Sequence, residues 1–172
     1  ITWDDAGRDA LEQVNLLVEA GADWIQLRQK SGTYEQKLAV AQAAVQICKP
    51  VGVVLIINDD VRLCEECGAD GVHLGLSDMP IAQARAQLGE QAIIGGTANT
   101  PAQAIQRFRD GADYVGLGPW RYTGTKENLS PVLGEDGVRA VLDALLQAHC
   151  LGPVVVIGGI LPHDVSSIVG LG

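Results

Sequence analysis

A tripeptide repeat constrains the fold of this chain more than any other feature of its sequence. Gly-Ala-Asp occurs three times, starting at positions 21, 68 and 111, so the copies are 47 and 43 residues apart. Each copy leads into a short apolar segment typical of a β-strand: GADWIQLR, GADGVHLG and GADYVGLG. This spacing is about twice the length of one strand–helix unit, so the repeat marks every second unit of an alternating α/β fold.

Further strands and helices fill the intervals between the copies. Strand-like segments lie at 53–58, 91–96 and 153–159. Amphipathic segments between the strands predict helices, the second of them capped by Thr33. The other helices are predicted at 4–20, 60–67, 80–88, 100–110, 136–149 and 162–170. Thr2 or Asp4 is the expected cap of the first helix.

The number of strands predicts the fold class. Six strands are visible, and one more is implied before Ile1 and another after Gly172. Eight such units make a (β/α)₈ TIM barrel, here with its first and last strand–helix units incomplete. A doubly wound open sheet is the alternative. At 172 residues the chain is expected to form a single barrel domain over 1–172.

Composition and net charge limit the kinds of molecule that this protein is expected to bind. With 47% hydrophobic and 19% charged residues, the chain is neither disordered nor embedded in a membrane, and the cytoplasm is its expected location. A net charge of −9 argues against general affinity for nucleic acid or anionic membranes. A small anionic substrate would therefore need local cations. The four cysteines show no pattern of a disulfide framework or zinc site and are expected to be reduced thiols.

One predicted strand ends in an unusual group of polar residues. The segment VVLIINDD, residues 53–60, runs from five apolar residues into Asn58, Asp59 and Asp60. Such an apolar strand is typical of a parallel sheet buried on both faces, and ligands bind at the carboxyl ends of parallel strands. A purely structural alternative stays open, in which these residues only turn the chain and cap the next helix.

The preceding strand ends in cations and amides. Gln26, Arg28, Gln29 and Lys30 fall at or just after the strand at 23–28. Arginine offers a fork and lysine a point charge for phosphate oxygens, so this group suits a pyrophosphate. In the alternative interpretation Arg28 makes an ion pair inside the barrel and Lys30 is solvated.

Two carboxylates on adjacent loops indicate a metal site. Asp59 follows one strand and Asp78 follows the next, and such a pair suits Mg²⁺, which also keeps positions for water and phosphate. His73 lies inside its strand and is expected to be a packed core residue rather than a ligand.

Later strand ends carry hydroxyls, amides and glycines. Thr97 and Asn99 follow Gly95-Gly96, a pair that would let a ligand approach the backbone closely. A long loop after the third repeat carries Thr123, Thr125 and Lys126, and long loops in compact barrels are usually functional. The last visible strand ends at Gly158-Gly159, where barrels often bind phosphate.

Six segments resemble the thiamine phosphate synthase family in order and at family spacing: QLRQK, IINDD, GVHLG followed by Asp78, IIGGTANT, GLGPW with TGTK, and VIGGI. Six such motifs in order are highly specific. The resemblance implies a transferase that joins a pyrimidinylmethyl diphosphate to a thiazole phosphate, giving thiamine phosphate and pyrophosphate. In the family's reaction pyrophosphate leaves first, and the thiazole nitrogen captures the resulting cation without a protein nucleophile.

The resemblance also implies a role for each matching residue. The pyrimidine diphosphate would be bound by Gln26, Arg28, Lys30, Asn58, Thr97 and Lys126. The cofactor Mg²⁺ would be held by Asp59 and Asp78, and the thiazole phosphate would contact Thr123, Thr125 and Gly159. Arg28, Lys30 and Lys126 would be the catalytic residues, because they stabilise the charge of the leaving group.

Three positions depart from the family pattern. Thr97 stands where the family usually has Ser, Asn99 where it usually has His, and Gln29 where it usually has Glu. Two rivals stay open: a thiazole tautomerase of the same superfamily, whose proposed acid–base His matches Asn99, and a non-catalytic thiamine-phosphate-binding barrel. A requirement for Mg²⁺ with release of pyrophosphate would separate the synthase from both. Self-association is left open.

Overall fold

Strands and helices alternate along the chain. The computed structural model describes residues 1–4, 7–123 and 130–172. The strands are β1 (Trp24–Leu27), β2 (Val54–Asn58), β3 (Gly71–Leu74), β4 (Ile93–Ala98), β5 (Tyr114–Leu117) and β6 (Val154–Val156). The α-helices are α1 (Ala10–Glu19), α2 (Tyr34–Cys48), α3 (Val61–Cys67), α4 (Ile81–Leu88), α5 (Pro101–Arg109), α6 (Gly134–Gln147) and α7 (Val165–Val169). Short 3₁₀ helices occupy Lys49–Val51 and Pro162–Asp164.

The sheet follows the order of the sequence. Its strands run from β1 to β6 in chain order, and the pairs β1–β2, β2–β3, β4–β5 and β5–β6 are parallel. A doubly wound sheet reverses its strand order at a switch point, so that alternative is wrong. The prediction of an α/β fold with parallel strands is confirmed.

The backbone forms two compact units, Ile1–Ile94 and Gly95–Gly172, which we call the first unit and the second unit. In the first unit, Leu55, Ile56 and Ile57 of β2 are consecutive and at most 1% exposed. Consecutive buried residues mean that both faces of β2 are covered, as its apolar sequence predicted. The single domain expected over 1–172 stays a prediction.

The second unit has its own hydrophobic core. Val115 and Leu117 of β5 pack with Ala104 of α5 and with Val138 and Leu145 of α6. The helices therefore cover β5, and the loops that follow the strands are left to carry polar groups.

The first helix begins later than predicted. A start at residue 4 with a Thr2 or Asp4 cap is wrong, because Asp9 caps α1. The Asp9 carboxylate accepts from the Glu12 N–H at 2.8 Å, and the Glu12 carboxylate accepts from the Asp9 N–H at 3.0 Å, which forms a capping box. Thr2 instead accepts a hydrogen bond from the Arg28 N–H at 2.8 Å. The predicted Thr33 cap of α2 is confirmed.

All four cysteines are free thiols. Cys64 and Cys67 lie on one buried face of α3, and burial raises the pKa of the Cys64 thiol to about 12. A thiol with so high a pKa is a poor nucleophile and a poor metal ligand.

The helices of this protein are short. The longest helix, α2, has 15 residues. No helix within residues 1–4, 7–123 and 130–172 combines the length and apolar composition needed to cross a membrane.

Candidate functional site

The two aspartates at the end of β2, Asp59 and Asp60, make different contacts. Asp60 is the cap of α3 and accepts a hydrogen bond from the Leu63 N–H at 2.9 Å. Asp59 donates its N–H to the His73 carbonyl at 2.8 Å and has φ +68°, a left-handed conformation that is uncommon outside glycine. Helix capping, the alternative role of these residues, therefore explains Asp60. It does not explain Asp59, whose carboxylate does not cap α3.

That carboxylate belongs to a cluster at the ends of three neighbouring strands. Lys30, which follows β1, forms an ion pair with Asp59, which follows β2. The Asp59 carboxyl group is also in hydrogen-bond contact with that of Asp78, beyond β3. We call Lys30, Asp59 and Asp78 the acid–lysine cluster. The structure thus brings together two carboxylates and a cation that are up to 48 residues apart in the sequence.

A tight turn holds Asp78 in place. Its Oδ2 accepts a hydrogen bond from the Gly75 N–H at 2.6 Å. A Cβ atom on Gly75 would lie 2.8 Å from the same oxygen, so a larger residue would push the carboxylate away. Gly75 is therefore required for the position of Asp78.

The two carboxyl groups differ in proton affinity. Burial alone would raise the pKa of Asp59, but its hydrogen bonds with Lys30 and Asp78 and the charge of Lys30 leave that pKa below its ordinary value. For Asp78, burial and the neighbouring Asp59 raise the pKa above its ordinary value, against the lowering effect of the Gly75 N–H. Asp78 is therefore the group of the pair with the higher proton affinity.

We therefore expect opposite titrations from the two carboxyl groups. In a ¹³C NMR titration, Asp59 should titrate below the ordinary value of 3.8 and Asp78 above it. The contribution of Asp59 to stability is present above 3.8 and lost as pH falls through its lowered pKa. The contribution of neutral Asp78 is present below 3.8 and lost as pH rises through its raised pKa. Asp59→Asn should lower the pKa of Asp78, and an unchanged Asp78 titration would contradict the contact.

The acid–lysine cluster fits a magnesium ion. Its two carboxyl groups touch each other, and a divalent cation would favour their charged forms, which burial and the neighbouring Asp59 disfavour in Asp78. Within the described residues no group of three or more His, Cys, Asp or Glu side chains could hold a metal. Two carboxylates are enough for Mg²⁺, which keeps several waters and takes substrate phosphate as further ligands. Asp59 and Asp78 would be its protein ligands.

Asp4 positions Lys30 and was missed by the sequence analysis. Its Oδ2 accepts hydrogen bonds from the N–H groups of Lys30 and Ser31, each at 2.9 Å, and from the Ser31 hydroxyl at 2.9 Å. Burial alone would raise the pKa of Asp4, but these hydrogen bonds leave it below its ordinary value. Asp4 thus fixes the backbone that carries Lys30. Its place ahead of a helical segment resembled a cap, so no sequence signal pointed to this contact.

A cavity of about 170 Å³ lies beside the cluster. Its lining includes Leu27, Gln29, Lys30, Asn58 and Asp59. Gln29 Oε1 is buried and has no hydrogen-bond partner among the described residues. It could therefore accept a hydrogen bond from a bound ligand. Asn58 lies at the end of β2 and its side chain contacts Asp59.

Gln26, Arg28 and Lys30 lie in or just after β1. Gln26 lies within β1 and Arg28 directly after it, both half-buried. Lys30 is 53% exposed but paired with Asp59, so it is not simply solvated. The proposed contacts of all three with substrate stay predictions.

In the second unit, Thr97 lies near the end of β4. It is buried, and its carbonyl accepts a hydrogen bond from Arg107 Nε at 3.1 Å. The glycines before it do not open the backbone to a ligand. A Cβ on Gly95 would lie 2.1 Å from the Tyr114 ring, and one on Gly96 would lie 2.8 Å from the Arg107 side chain. These glycines make room for the protein's own side chains, which corrects the earlier interpretation.

Asn99 joins the two ends of the long loop after β5. Its Nδ2 donates to the Gly118 carbonyl, and its Oδ1 accepts from the Ser130 hydroxyl at 2.9 Å. Its N–H donates to Gln103 Oε1 at 2.8 Å. Both side-chain atoms are therefore engaged in fixed hydrogen bonds.

The predicted residues of that loop are only partly described. Thr123 is described and half-buried. Thr125 and Lys126 lie outside the described residues. His73 is 7% exposed within β3, as expected of a core residue.

The Gly158–Gly159 turn packs against Arg121. Both glycines have positive φ, +90° and +70°. Arg121 donates its N–H to the Gly158 carbonyl at 2.9 Å and its Nη1 to the Gly159 carbonyl at 3.1 Å. The same guanidinium holds the pKa of Asp164 far below its ordinary value. A lone arginine in a loop gave no sequence signal of this contact.

Comparisons with known proteins identify the family of the chain. A family described as thiamine monophosphate synthase matches residues 1–172. A thiamine-phosphate synthase of Bacteroides thetaiotaomicron is 48% identical over 161 residues, which cover 94% of this chain and 77% of that protein. One of Bacteroides fragilis is 45% identical over 172 residues, which cover 100% of this chain and 84% of that protein. The solved thiamine phosphate pyrophosphorylase of Pyrococcus furiosus superposes with a TM-score of 0.84 at 28% identity, over 96% of this chain and 76% of that one. The chain belongs to the thiamine monophosphate synthase family.

Proposed function

We propose that this protein is a transferase that joins a pyrimidinylmethyl diphosphate to a thiazole phosphate, with Mg²⁺, to give thiamine phosphate and pyrophosphate. Membership of the family supports the overall reaction. The acid–lysine cluster supports the rest of the proposal, because two carboxyl groups that could bind a cation lie next to a lysine at adjacent strand ends.

The residues of the first unit would bind the diphosphate. Lys30 would donate to phosphate oxygens, and Arg28 would add its planar fork. Asp59 and Asp78 would hold Mg²⁺, which when bound neutralises charge on the departing pyrophosphate. Asn58 and Gln26 would orient the pyrimidine by hydrogen bonds. Thr97 and Lys126 are proposed to contact the same substrate.

The chain needs no nucleophile of its own for this reaction. The bond from the pyrimidinylmethyl carbon to the diphosphate oxygen breaks, and the electron pair leaves with pyrophosphate. The thiazole nitrogen then forms the new bond to that carbon. Positioning of the two substrates and stabilisation of the leaving charge would supply the rate enhancement. Thr123, Thr125 and Gly159 are proposed to hold the thiazole phosphate during this step.

The environment of Asn99 favours a synthase over a tautomerase. An isomerisation of the thiazole needs a group that takes up and returns a proton. An amide does not titrate, and both side-chain atoms of Asn99 are held by Gly118 and Ser130. A non-catalytic binder is disfavoured as well, because binding alone gives no reason to keep two abutting carboxylates beside the lysine.

The wider architecture is part of the same proposal. We infer that the six strand–helix units belong to a (β/α)₈ barrel, which is supported by their parallel order in the chain and by the likeness to the Pyrococcus furiosus enzyme. A cytoplasmic location and self-association remain expectations from the sequence.

A coupled assay tests the function directly. Purified protein with both substrates and Mg²⁺ should form thiamine phosphate and pyrophosphate in equal amounts, and EDTA should abolish both. Excess Mg²⁺ should restore them. Thiazole isomerisation without pyrophosphate would identify a tautomerase, and tight binding of both substrates without product would identify a binding protein.

A further inference from the structure

Arg121 binds a distant turn through both its main chain and its side chain. It belongs to the loop after β5, whereas Gly158 and Gly159 follow β6. The main-chain N–H of Arg121 donates to the Gly158 carbonyl at 2.9 Å, and Nη1 donates to the Gly159 carbonyl at 3.1 Å. One residue therefore holds both carbonyls of the turn.

Asp164 fixes the orientation of this arginine. Nη1 of Arg121 lies 2.6 Å from Asp164 Oδ2 and Nη2 lies 2.9 Å from Oδ1, so the ion pair is bidentate. The Asp164 side chain is only 7% exposed, and its Oδ2 also accepts the Leu161 N–H at 2.8 Å. The charge of Arg121 is thus neutralised in place, which suits a positioning group better than a direct ligand of phosphate.

The turn itself leaves donors for a ligand. A Cβ on Gly159 would lie 3.0 Å from both Cβ and the carbonyl oxygen of Arg121, so the two segments touch closely. Within the described residues, the N–H groups of Gly158 and Gly159 donate to no partner. Among the described residues, both carbonyls are held and neither N–H group has an acceptor, and main-chain N–H groups in such a turn can bind an anion.

We propose that Arg121, held by Asp164, is a positioning residue that fixes the Gly158–Gly159 turn for the phosphate group of the thiazole substrate. This inference rests on the proposed function, in which Gly159 contacts that phosphate. It assigns the pair to one substrate alone. Loss of Arg121 should therefore weaken the use of the thiazole phosphate and leave the use of the pyrimidine diphosphate intact.

Steady-state kinetics of Arg121→Met test the proposal. The KM for the thiazole phosphate should rise by about tenfold to a hundredfold, as expected when a binding group is misplaced. The KM for the pyrimidine diphosphate should stay within about twofold of the wild-type value. Arg121→Lys, which keeps the charge but loses the fork, should restore part of the difference.

Asp164→Asn provides a second, milder variant. It should raise the same KM, and adding it to Arg121→Met should cause little further change, because the two residues act as one unit. If Arg121→Met fails to fold, the KM of Asp164→Asn for the thiazole phosphate still tests the proposal. Arg139→Met is the matched control, since Arg139 pairs with Glu135 on the exposed surface of α6 at 3.1 Å. Its kinetics should match those of the wild-type protein.

Two results would overturn the inference: unchanged KM values in the folded variants, or equal increases in the KM of both substrates. Either pattern would reduce the Arg121–Asp164 pair to a structural contact. An inactive wild-type protein would instead refute the proposed function. Wild-type turnover in the same assay keeps these failures distinct.

Discussion

Asp59→Asn and Asp78→Asn should each lower kcat by about a hundredfold to a thousandfold, the effect of removing one preorganised electrostatic group from an active site. Each substitution replaces a carboxylate by a neutral amide of similar shape. The affinity for Mg²⁺ should fall by at least about tenfold in each variant, because even residues that only support metal ligands contribute that much. Kinetics over a Mg²⁺ titration measure both quantities.

The double variant should be little worse than either single one. The two carboxyl groups touch each other, so they act as one unit and their effects should not add. Additive losses would indicate independent roles. Unchanged metal dependence in both single variants would rule out Asp59 and Asp78 as the magnesium ligands.

Asp60→Asn is the matched control for these variants. It makes the same chemical change at the next position in the chain. Asparagine caps helices about as well as aspartate, so α3 should keep its start. We expect activity and metal dependence close to those of the wild-type protein. A loss as large as that of Asp59→Asn would point to damage in this segment rather than to a lost ligand.

Lys30→Met should lower kcat by about a hundredfold, because it removes a fixed cation from the position where leaving-group charge develops. The substitution keeps much of the apolar stem and removes the ammonium group. Without the ion pair, the pKa of Asp59 should rise, since its hydrogen bond and the charge of Lys30 both lower that pKa. Single-turnover kinetics report the first effect and an NMR titration reports the second.

Lys49→Met is the control for the lysine. Lys49 is exposed in the 3₁₀ helix that follows α2, so its replacement makes the same change in net charge elsewhere. It should leave turnover unaltered. If Lys30→Met had no more effect than Lys49→Met, Lys30 would have no role in stabilising the leaving group.

The strands and most helices could be predicted because their signals are local. The apolar run of β2 and the Gly-Ala-Asp repeat need only the sequence around them. The start of α1 could not be predicted, because Asp4 and Asp9 are both acceptable caps and Asp4 is instead bound by the distant Lys30 and Ser31. Competition between a local and a long-range hydrogen bond is not visible in the sequence.

In the site, too, residues with a local sequence signal could be predicted and residues placed by long-range contacts could not. Lys30, Asp59 and Asp78 were found because each follows a recognisable strand, and parallel strands bring their ends to one edge. The pair of Arg121 and Asp164 spans 43 residues and joins a loop to a short helix, with no periodic pattern to mark it. Gly95 was misread because the sequence does not show that the ring of Tyr114 fills the space above it.

The left-handed backbone of Asp59 restricts how this protein can vary over evolution. Aspartate and asparagine adopt that conformation more readily than other residues with side chains, but only aspartate carries the charge. Exchange with glutamate, often the mildest change open to an acid, would meet a strained main chain here. At Asp78 the restriction falls on Gly75, which must stay small, and not on the backbone of the aspartate itself. Substitution by another acid should therefore be easier at position 78 than at position 59.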